Sequence, residues 1–316
     1  MERIRRLGPI ECVEIEAKSV LNRVRGMPFE WSINPYRGCY HQCVFCFARR
    51  THAFLEEDGV SGWGRVYVKV NAPEVLRREL ARPGWRRSPI ALGTATDAYQ
   101  PVEGSYRITR RILAELVRAK APTGIVTRSP LICRDADVLE DLARRADLRI
   151  TISLPTLDAD LARKLEPTVA PPGKRLFTVQ TLAARGLPVG ISVAPIVPHL
   201  TDSRENFAAL VRAARDCGAT FIWSNVLYLR EAARDSFFLF LREHYPEYVA
   251  EYERLYARIH LPKPMRASLE RRFDRELRSV ELPRRRTFEA AARDDDEQLA
   301  LFPGEGLFAA SRSENA

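Results

Sequence analysis

Three of the six cysteines in this chain fall within eight residues of one another. Cys39, Cys43 and Cys46 form the pattern Cys-x3-Cys-x2-Cys, directly after a short apolar run at 31–33 that predicts a strand. This spacing brings three sulfurs round one centre, whereas the cysteines at positions 12, 133 and 217 stand alone. Clustered thiols in a cytosolic chain are typical of a metal site rather than a disulfide framework. We therefore predict that these three cysteines hold a metal.

A trio of thiolates suits an iron–sulfur cubane. Such a cluster has four irons and normally takes four cysteines, so a loop with three leaves one iron open to a small molecule. The amino and carboxylate groups of S-adenosylmethionine (SAM) can chelate that iron, and an electron from the reduced cluster then breaks a carbon–sulfur bond to give the 5′-deoxyadenosyl radical. We therefore predict a [4Fe–4S] cluster and SAM as cofactors. Gly38 permits a tight turn into the loop, and Phe45 offers an aromatic face to the adenine.

Two other interpretations of these cysteines are open. A structural zinc site would use the same three thiols with His41 or His52 as the fourth ligand. A four-cysteine electron-transfer cluster would need Cys12, although the neighbouring Glu11 and Glu14 oppose further negative charge there. In either case the chain would be a non-catalytic metal-binding module.

The elements that must position the cysteines alternate regularly along the chain. The predicted strands are 31–33, 65–70, 90–93, 124–127, 148–154, 189–195 and 219–225, and the predicted helices between them are 106–119, 135–146, 175–185 and 203–217. Strands and helices that alternate at this spacing indicate βαβ units and a parallel sheet, in which functional residues lie at the carboxyl ends of the strands. Beyond this region, 237–256 and 265–277 predict helices rich in aromatic and charged residues.

The cysteine loop and its flanks resemble a known family. The sequence Asn-Pro-Tyr-Arg-Gly-Cys at 34–39 precedes the loop, Phe-Ala-Arg-Arg-Thr-His at 47–52 follows it, and an aromatic residue stands before the third cysteine. These features resemble the radical SAM superfamily and, within it, the branch related to spore photoproduct lyase, often called DNA repair photolyase-like. The resemblance covers most of residues 15–260, through the segments 93–103, 127–130, 153–156, 165–167 and 194–198.

The resemblance implies an α/β fold, a partial (βα)6 barrel of the TIM type with a C-terminal helical extension. The corresponding division of the chain is an N-terminal arm at 1–30, the barrel at 31–228, the helical extension at 229–288 and a flexible tail at 289–316. SAM would lie across the strand ends. The candidate cofactor-binding residues are Phe45, Thr94, Thr96, Asp97, Ser129, Ser153, Arg163 and Glu166.

The same resemblance bears on Arg128 and on the residue that would return a hydrogen atom to the substrate. Relatives commonly carry lysine where this chain has Arg128, and a guanidinium is not interchangeable with an ammonium. Spore photoproduct lyase returns a hydrogen atom to its substrate through a separate cysteine and tyrosines. No residue here matches those position by position, so Cys133 and Tyr99, which follow predicted strands, are the candidate catalytic hydrogen donors.

Charge and the C-terminal tail point to partners. A net charge of +9, from 50 basic and 41 acidic residues, favours a polyanion such as DNA. The segment Gln298-Leu-Ala-Leu-Phe302 resembles the short peptide by which bacterial polymerases and repair proteins dock on the sliding clamp. A cluster of this kind also needs an electron donor such as flavodoxin or ferredoxin. No apolar run is long enough to cross a bilayer, so we expect a cytoplasmic chain without a membrane partner.

The sequence therefore predicts a radical SAM enzyme of the lyase type, with DNA repair as the first candidate activity. The alternatives are a radical SAM enzyme that acts on a peptide or small molecule, and the non-catalytic metal-binding module.

Overall fold

The computed structural model describes residues 3–25, 27, 29–55, 60 and 65–283. The strands are β1 (Arg3–Leu7), β2 (Ile10–Ile15), β3 (Asn22–Arg23), β4 (Trp31–Ile33), β5 (Tyr36–Arg37), β6 (Val66–Lys69), β7 (Ile90–Leu92), β8 (Thr123–Thr127), β9 (Leu148–Ser153), β10 (Val189–Ile196) and β11 (Ile222–Val226). The α-helices are α1 (Ala72–Leu80), α2 (Glu103–Tyr106), α3 (Ile108–Ala119), α4 (Ala136–Arg145), α5 (Ala159–Leu165), α6 (Pro172–Ala184), α7 (Arg204–Asp216), α8 (Ala232–His244), α9 (Val249–Leu255) and α10 (Lys263–Leu277). Short 3-10 helices lie at Phe47–Leu55, Pro130–Asp135 and Pro246–Tyr248.

Six parallel strands neighbour one another in chain order and form the main sheet. The order is β4, β7, β8, β9, β10 and β11, with β3 antiparallel on the outer side of β4. Helices α3, α4, α6 and α7 lie between consecutive strands, as βα units require. The predicted α/β fold with a partial (βα)6 arrangement is therefore confirmed. Among the described residues the two outer strands, β3 and β11, do not pair with each other.

The N-terminal residues form a second sheet with β6. Its order is β1, β2, β6, β5, and Cys12 of β2 lies opposite Val66 of β6. The sequence pattern predicted a strand at 65–70 within the main alternation, but hydrogen bonding to β2 draws it out of the parallel sheet. Because β5 ends at Arg37, just before Gly38 and Cys39, this second sheet fixes the direction in which the chain enters the cysteine loop.

The core of the barrel consists of helix faces packed on the parallel strands. Ile125, Ile150 and Ile191 are fully buried on three neighbouring strands, as expected when both sides of a sheet are covered. Ile112 and Leu116 are fully buried on α3 at a helical spacing of four residues. Burial of each such side chain contributes about 1.5–3 kcal/mol to stability.

The C-terminal extension is helical, as predicted, but the expected single helix over 237–256 is two helices. Pro246 starts a short 3-10 turn that separates α8 from α9, because proline has no N–H for a continuous helix. Helix α10 packs on α7, where the rings of Phe207 and Phe273 meet edge to face at 5.5 Å between centroids. The extension therefore covers the β11 side of the barrel.

The remaining sequence-based expectations for the tail lie outside the described residues. These are residues 284–288 of the extension, the tail 289–316 and the clamp-like segment Gln298–Phe302. Within the described ranges, no helix combines the length and apolar character that a membrane span requires.

Candidate active site

A cavity of about 250 Å³ lies at the carboxyl ends of the parallel strands. Its walls include Cys39, Cys43 and Cys46 on one side, and Asp97 and Arg128 from the ends of β7 and β8. Residues of β9, β10 and β11 complete the wall. This is the end of a βα array where functional side chains collect, because strand-end loops from several units meet there.

All three cysteines of the loop are free thiols that face this cavity. Burial raises the pKa of Cys39 to about 12 and raises the pKa of Cys43 and of Cys46 as well. Thiols in this environment stay protonated until a metal takes the place of the proton. The loop therefore turns three buried thiols toward one cavity.

Gly38 makes the sharp turn into the loop, as expected from the sequence. Its φ is +79°, and a Cβ at this position would lie 2.1 Å from the backbone oxygen of Arg65. The Gly38 carbonyl accepts hydrogen bonds from the Thr96 hydroxyl at 2.7 Å and from Nε2 of Gln100 at 3.2 Å. The loop is thus tied directly to the turn that follows β7.

Asp97 holds together the loops round the cavity. Its Oδ2 lies 3.0 Å from Nε2 of His41 and accepts from the backbone N–H of Arg128 at 2.8 Å. Its Oδ1 accepts from the Thr127 hydroxyl at 2.7 Å and from the Tyr99 backbone N–H at 2.8 Å. Burial alone would raise the pKa of Asp97, but His41 and these hydrogen bonds lower it below its usual value. Both carboxylate oxygens are therefore committed to the protein's own groups.

A buried ion-pair chain holds Arg128 against the cavity. Glu166 bonds Nε of Arg128 at 2.7 Å through one oxygen and Nη1 of Arg175 at 2.7 Å through the other. Arg175 also donates to the Ser153 carbonyl at 2.9 Å. The Arg128 guanidinium lies 5.9 Å from the centre of the Phe45 ring, and its two Nη atoms make no hydrogen bond with the described residues. Arg128 thus presents an available pair of donors next to the cysteine loop.

The other predicted cofactor-binding residues differ in position. Thr94, Thr96 and Ser153 line the cavity, and the Ser153 hydroxyl donates to the Ala194 carbonyl at 3.1 Å. The Ser129 hydroxyl instead accepts from the backbone N–H of Leu131 and caps the following 3-10 helix. The structure therefore brings Phe45, Thr94, Thr96, Asp97 and Ser153 together with the cysteines.

Besides Ser129, four predicted residues are not part of the cavity wall. Glu166 is connected to the wall indirectly, through its ion pairs with Arg128 and Arg175. The Arg163 side chain is 71% exposed and bonded to Asp160. Tyr99 is fully buried outside the wall, and burial raises its pKa well above the usual value. Cys133 is half-buried in the 3-10 helix Pro130–Asp135 and is likewise absent from the wall. Neither candidate hydrogen donor reaches the cavity in this arrangement.

Sequence reasoning missed several residues of the site. Arg175 is a single arginine in a helical stretch, and no local pattern indicates that it is buried. Trp223 and Tyr228 line the cavity at and after β11, and the only available signal was their place at the end of the last strand. The Tyr228 ring lies 5.9 Å from that of Phe47, just after the cysteine loop. This contact joins the segment after the last strand to the segment after the cysteine loop.

Among the described residues no three His, Cys, Asp or Glu side chains, those of the cysteine loop included, lie close enough together to hold a single metal ion. A single zinc ion needs all of its ligands within about 2.3 Å of one centre. His41, one of the two candidate fourth ligands, has its Nε2 bonded to Asp97.

The chain thus combines a partial α/β barrel with three cysteines that line a cavity at the strand ends. The chain belongs to the radical SAM superfamily, whose characteristic sequence matches residues 33–211. Membership implies SAM and an iron–sulfur cluster as cofactors.

Several other proteins are similar to this chain. An uncharacterized protein of Mycobacterium tuberculosis is 38% identical over 264 residues, which is 82% of this chain and 78% of that protein. An uncharacterized protein of Methanocaldococcus jannaschii is 27% identical over 193 residues, or 61% of this chain and 70% of that protein. Spore photoproduct lyase complexed with dinucleoside spore photoproduct matches with a TM-score of 0.65 at 14% identity, covering 85% of this chain and 79% of that one. At this identity the likeness concerns the fold.

Proposed function

We propose that this protein is a radical SAM enzyme in which Cys39, Cys43 and Cys46 hold a [4Fe–4S] cluster with one iron left for SAM. The observation that carries the proposal is that three free thiols and the Arg128 guanidinium line one cavity at the strand ends. The donor set fits the group, since three sulfurs leave one corner of a cubane unligated. When bound, the cluster and SAM supply one-electron cleavage of SAM to the 5′-deoxyadenosyl radical.

The chain's own residues hold and orient SAM. The available Nη atoms of Arg128 suit the methionyl carboxylate, because a guanidinium binds a carboxylate with two parallel hydrogen bonds. Phe45 forms an apolar face for the adenine, and Thr94 and Thr96 present polar groups from the end of β7. Asp97 positions His41 and Arg128 rather than meeting the ammonium itself, since both of its oxygens are occupied.

Anaerobic reconstitution with iron and sulfide tests this proposal. We expect the stoichiometry and the low-temperature EPR spectrum of a reduced [4Fe–4S] cluster, and 5′-deoxyadenosine from SAM and dithionite. Replacement of Cys39, Cys43 or Cys46 by alanine should abolish both. Cys217→Ala is the matched control, because Cys217 is a partly buried thiol at the end of α7 and away from the cavity. Purified protein that carries zinc, or a cluster that needs a fourth side chain, would overturn the proposal.

As substrate we propose damaged DNA, with lyase-type repair as the activity. Support comes from the fold shared with spore photoproduct lyase and from the net charge of +9. DNA binding by the reconstituted enzyme should fall steeply as salt rises, because bound cations are released from the phosphates. A flat salt response, together with no turnover of dinucleoside spore photoproduct, would favour the second candidate, a radical SAM enzyme acting on a peptide or small molecule.

Three further expectations complete the proposal. The enzyme acts in the cytoplasm, where flavodoxin or ferredoxin reduces the cluster. Docking to the sliding clamp rests on the sequence at Gln298–Phe302 alone. A peptide of residues 290–310 titrated against the clamp tests it, and absence of saturable binding would remove this partner.

A further inference from the structure

A second cavity, the arginine pocket, lies outside the candidate active site. It has a volume of about 450 Å³, and the residues that line it are Arg107, Arg110, Arg134, Asp137 and Arg185. It lies at the starts of α3 and α4, which follow the strands β7 and β8 along the chain. No residue lines both this pocket and the active-site cavity.

Buried carboxylates fix the direction of two of these arginines. Arg134 bonds the carboxylate of Glu103 at 2.8 Å and both oxygens of Asp135 at 2.8 Å. Arg110 bonds the same Asp135 at 3.2 Å and Asp137 at 2.6 Å. The side chains of Glu103 and Asp135 have no exposed surface. The two guanidinium groups are therefore held in place before a ligand arrives, which lowers the entropic cost of binding one.

The other two arginines have unused hydrogen-bond donors. The side chain of Arg107 is exposed and makes no hydrogen bond or ion pair with a described residue. Arg185 bonds Glu140 at 2.6 Å through Nε, and its two Nη atoms have no hydrogen-bond acceptor among the described residues. A guanidinium carries five N–H donors and no acceptor. A ligand with several acceptor oxygens would therefore find donors on both side chains.

Charge and donor chemistry together indicate the ligand. Four of the five lining side chains are cations, and the fifth, Asp137, is bonded to Arg110 through both of its oxygens. A phosphate group fits such a site, because it is anionic and guanidinium groups bind its oxygens with paired hydrogen bonds. The volume lies in the range of about 300–1,000 Å³ that ligand sites occupy, so the phosphate can belong to a larger molecule.

We propose that the arginine pocket binds a phosphate group, which belongs either to the backbone of a nucleic acid or to a free phosphorylated molecule. Arg107 and the Nη atoms of Arg185 bond the phosphate oxygens. Arg110 and Arg134, fixed by their carboxylates, add positive charge around it. The inference goes beyond the proposed function, since no residue of the pocket lines the active-site cavity.

Titration of the full chain with inorganic phosphate at low ionic strength, followed by calorimetry, tests the site. We expect saturable binding that weakens about 10-fold or more when Arg107→Gln and Arg185→Gln are combined, because charge-assisted hydrogen bonds are lost. The matched control combines Arg144→Gln with Arg145→Gln, which removes two exposed arginines that bond Asp141 outside the pocket. No saturable binding by the wild type, or equal losses in the two double variants, would overturn the proposal.

Asp137→Asn tests the same site in the opposite direction. It removes the one carboxylate that lines the pocket, so phosphate should bind about 3-fold more tightly. A purely structural role of the arginines predicts no such gain. Weaker phosphate binding by Asp137→Asn would count against the proposal.

DNA binding at a series of salt concentrations identifies the source of the phosphate. If the pocket holds a backbone phosphate, the Arg107 and Arg185 double variant should bind a labelled oligonucleotide more weakly than the control. Its plot of log affinity against log salt should also be less steep by about 1. Equal DNA binding by the two double variants, with phosphate binding lost in the first alone, would assign the pocket to a free phosphorylated molecule. Wild-type protein that binds phosphate but yields no 5′-deoxyadenosine from SAM would keep this site while the proposed function failed.

Discussion

Nε2 of His41 lies 3.0 Å from Oδ2 of Asp97, and both side chains are buried. His41 stands between the first two cysteines of the loop, whereas Asp97 follows β7, 56 residues further along the chain. Because Asp97 also accepts from Thr127 at the end of β8, one carboxylate connects the cysteine loop to two strands of the barrel. The sheet therefore helps to set the position of the loop.

Asp97→Asn should loosen this connection. An amide has one oxygen acceptor, so it cannot accept from His41, Thr127 and two backbone N–H groups at once. We expect the free energy of unfolding to fall by about 3 kcal/mol, and iron content after reconstitution to fall with it. Urea unfolding and iron analysis measure the two effects. Asp137→Asn is the control, since Asp137 is exposed and bonded to Arg110 at the surface, where such a pair contributes less than about 1 kcal/mol. Unchanged stability and full iron content in Asp97→Asn would contradict the expectation.

Arg128→Gln should weaken SAM binding through loss of the carboxylate contact. We expect the dissociation constant for SAM to rise about 10-fold or more, because a charge-assisted hydrogen bond contributes about 1.5–3 kcal/mol. Equilibrium dialysis under argon measures it. Decarboxylated SAM sharpens the test: the wild-type chain should bind it more weakly than SAM, and Arg128→Gln should bind both equally.

Arg144→Gln serves as the surface control for Arg128, because its side chain is 67% exposed and bonded to Asp141. If Arg128→Gln still discriminates between the two compounds as the wild type does, another residue holds the carboxylate.

Glu166→Gln should cost stability in a pH-dependent way. Burial alone would raise the pKa of Glu166, but the charges of Arg175 and Arg128 outweigh it and lower the pKa below its usual value. A carboxylate with a lowered folded-state pKa stabilises the chain above the unfolded pKa of about 4.3, and this stabilisation is lost as pH falls through the folded value. The free energy of unfolding of the wild type should therefore exceed that of Glu166→Gln by about 3–5 kcal/mol near neutral pH. The difference should shrink below about pH 4.

Urea unfolding of both chains from pH 7 down to pH 3 checks this expectation. The comparison removes the acid sensitivity that the two chains share. A difference that stays constant or grows toward acid would show that Glu166 is not ionised between its two arginines.

Gly38→Ala should disrupt the cysteine loop. The new methyl group would overlap the backbone oxygen of Arg65. A flexible side chain at that place could rotate away, but a backbone oxygen can move only if the chain itself shifts. Gly186→Ala is a close control, because Gly186 also has a positive φ, +72°, with nothing within 4 Å of its Cβ position. The control should lose about 1–2 kcal/mol from backbone strain, and Gly38→Ala about 1–3 kcal/mol more from the clash. Thermal unfolding and iron content measure the outcome, and equal losses would contradict the role given to the turn.

Patterns within short stretches of sequence were sufficient for the metal loop and for most of the fold. Cys39, Cys43 and Cys46 lie in one loop, so their spacing was enough to predict that they share one site, and all three line the same cavity. The alternation of strands and helices predicted the parallel sheet, because each element carries its own apolar period. The prediction was wrong for the strand at 65–70. This strand, β6, pairs with β2 and β5 in the second sheet and not with strands of the barrel.

The site round the loop depended on residues distant in sequence. Glu166 meets Arg128 across 38 positions, and no local signal indicated this pair or the burial of Arg175. Sequence position was also insufficient for Tyr99 and Cys133. Both follow strands, which made them candidate hydrogen donors, but neither side chain lines the cavity. Their roles, and those of the SAM-binding residues, stay predictions. The sequence by itself predicted the cysteine loop and the α/β class, because both follow from spacing along the chain. Only the tertiary structure decided which side chains face the cavity, because that depends on strand register and on the packing of segments far apart in sequence.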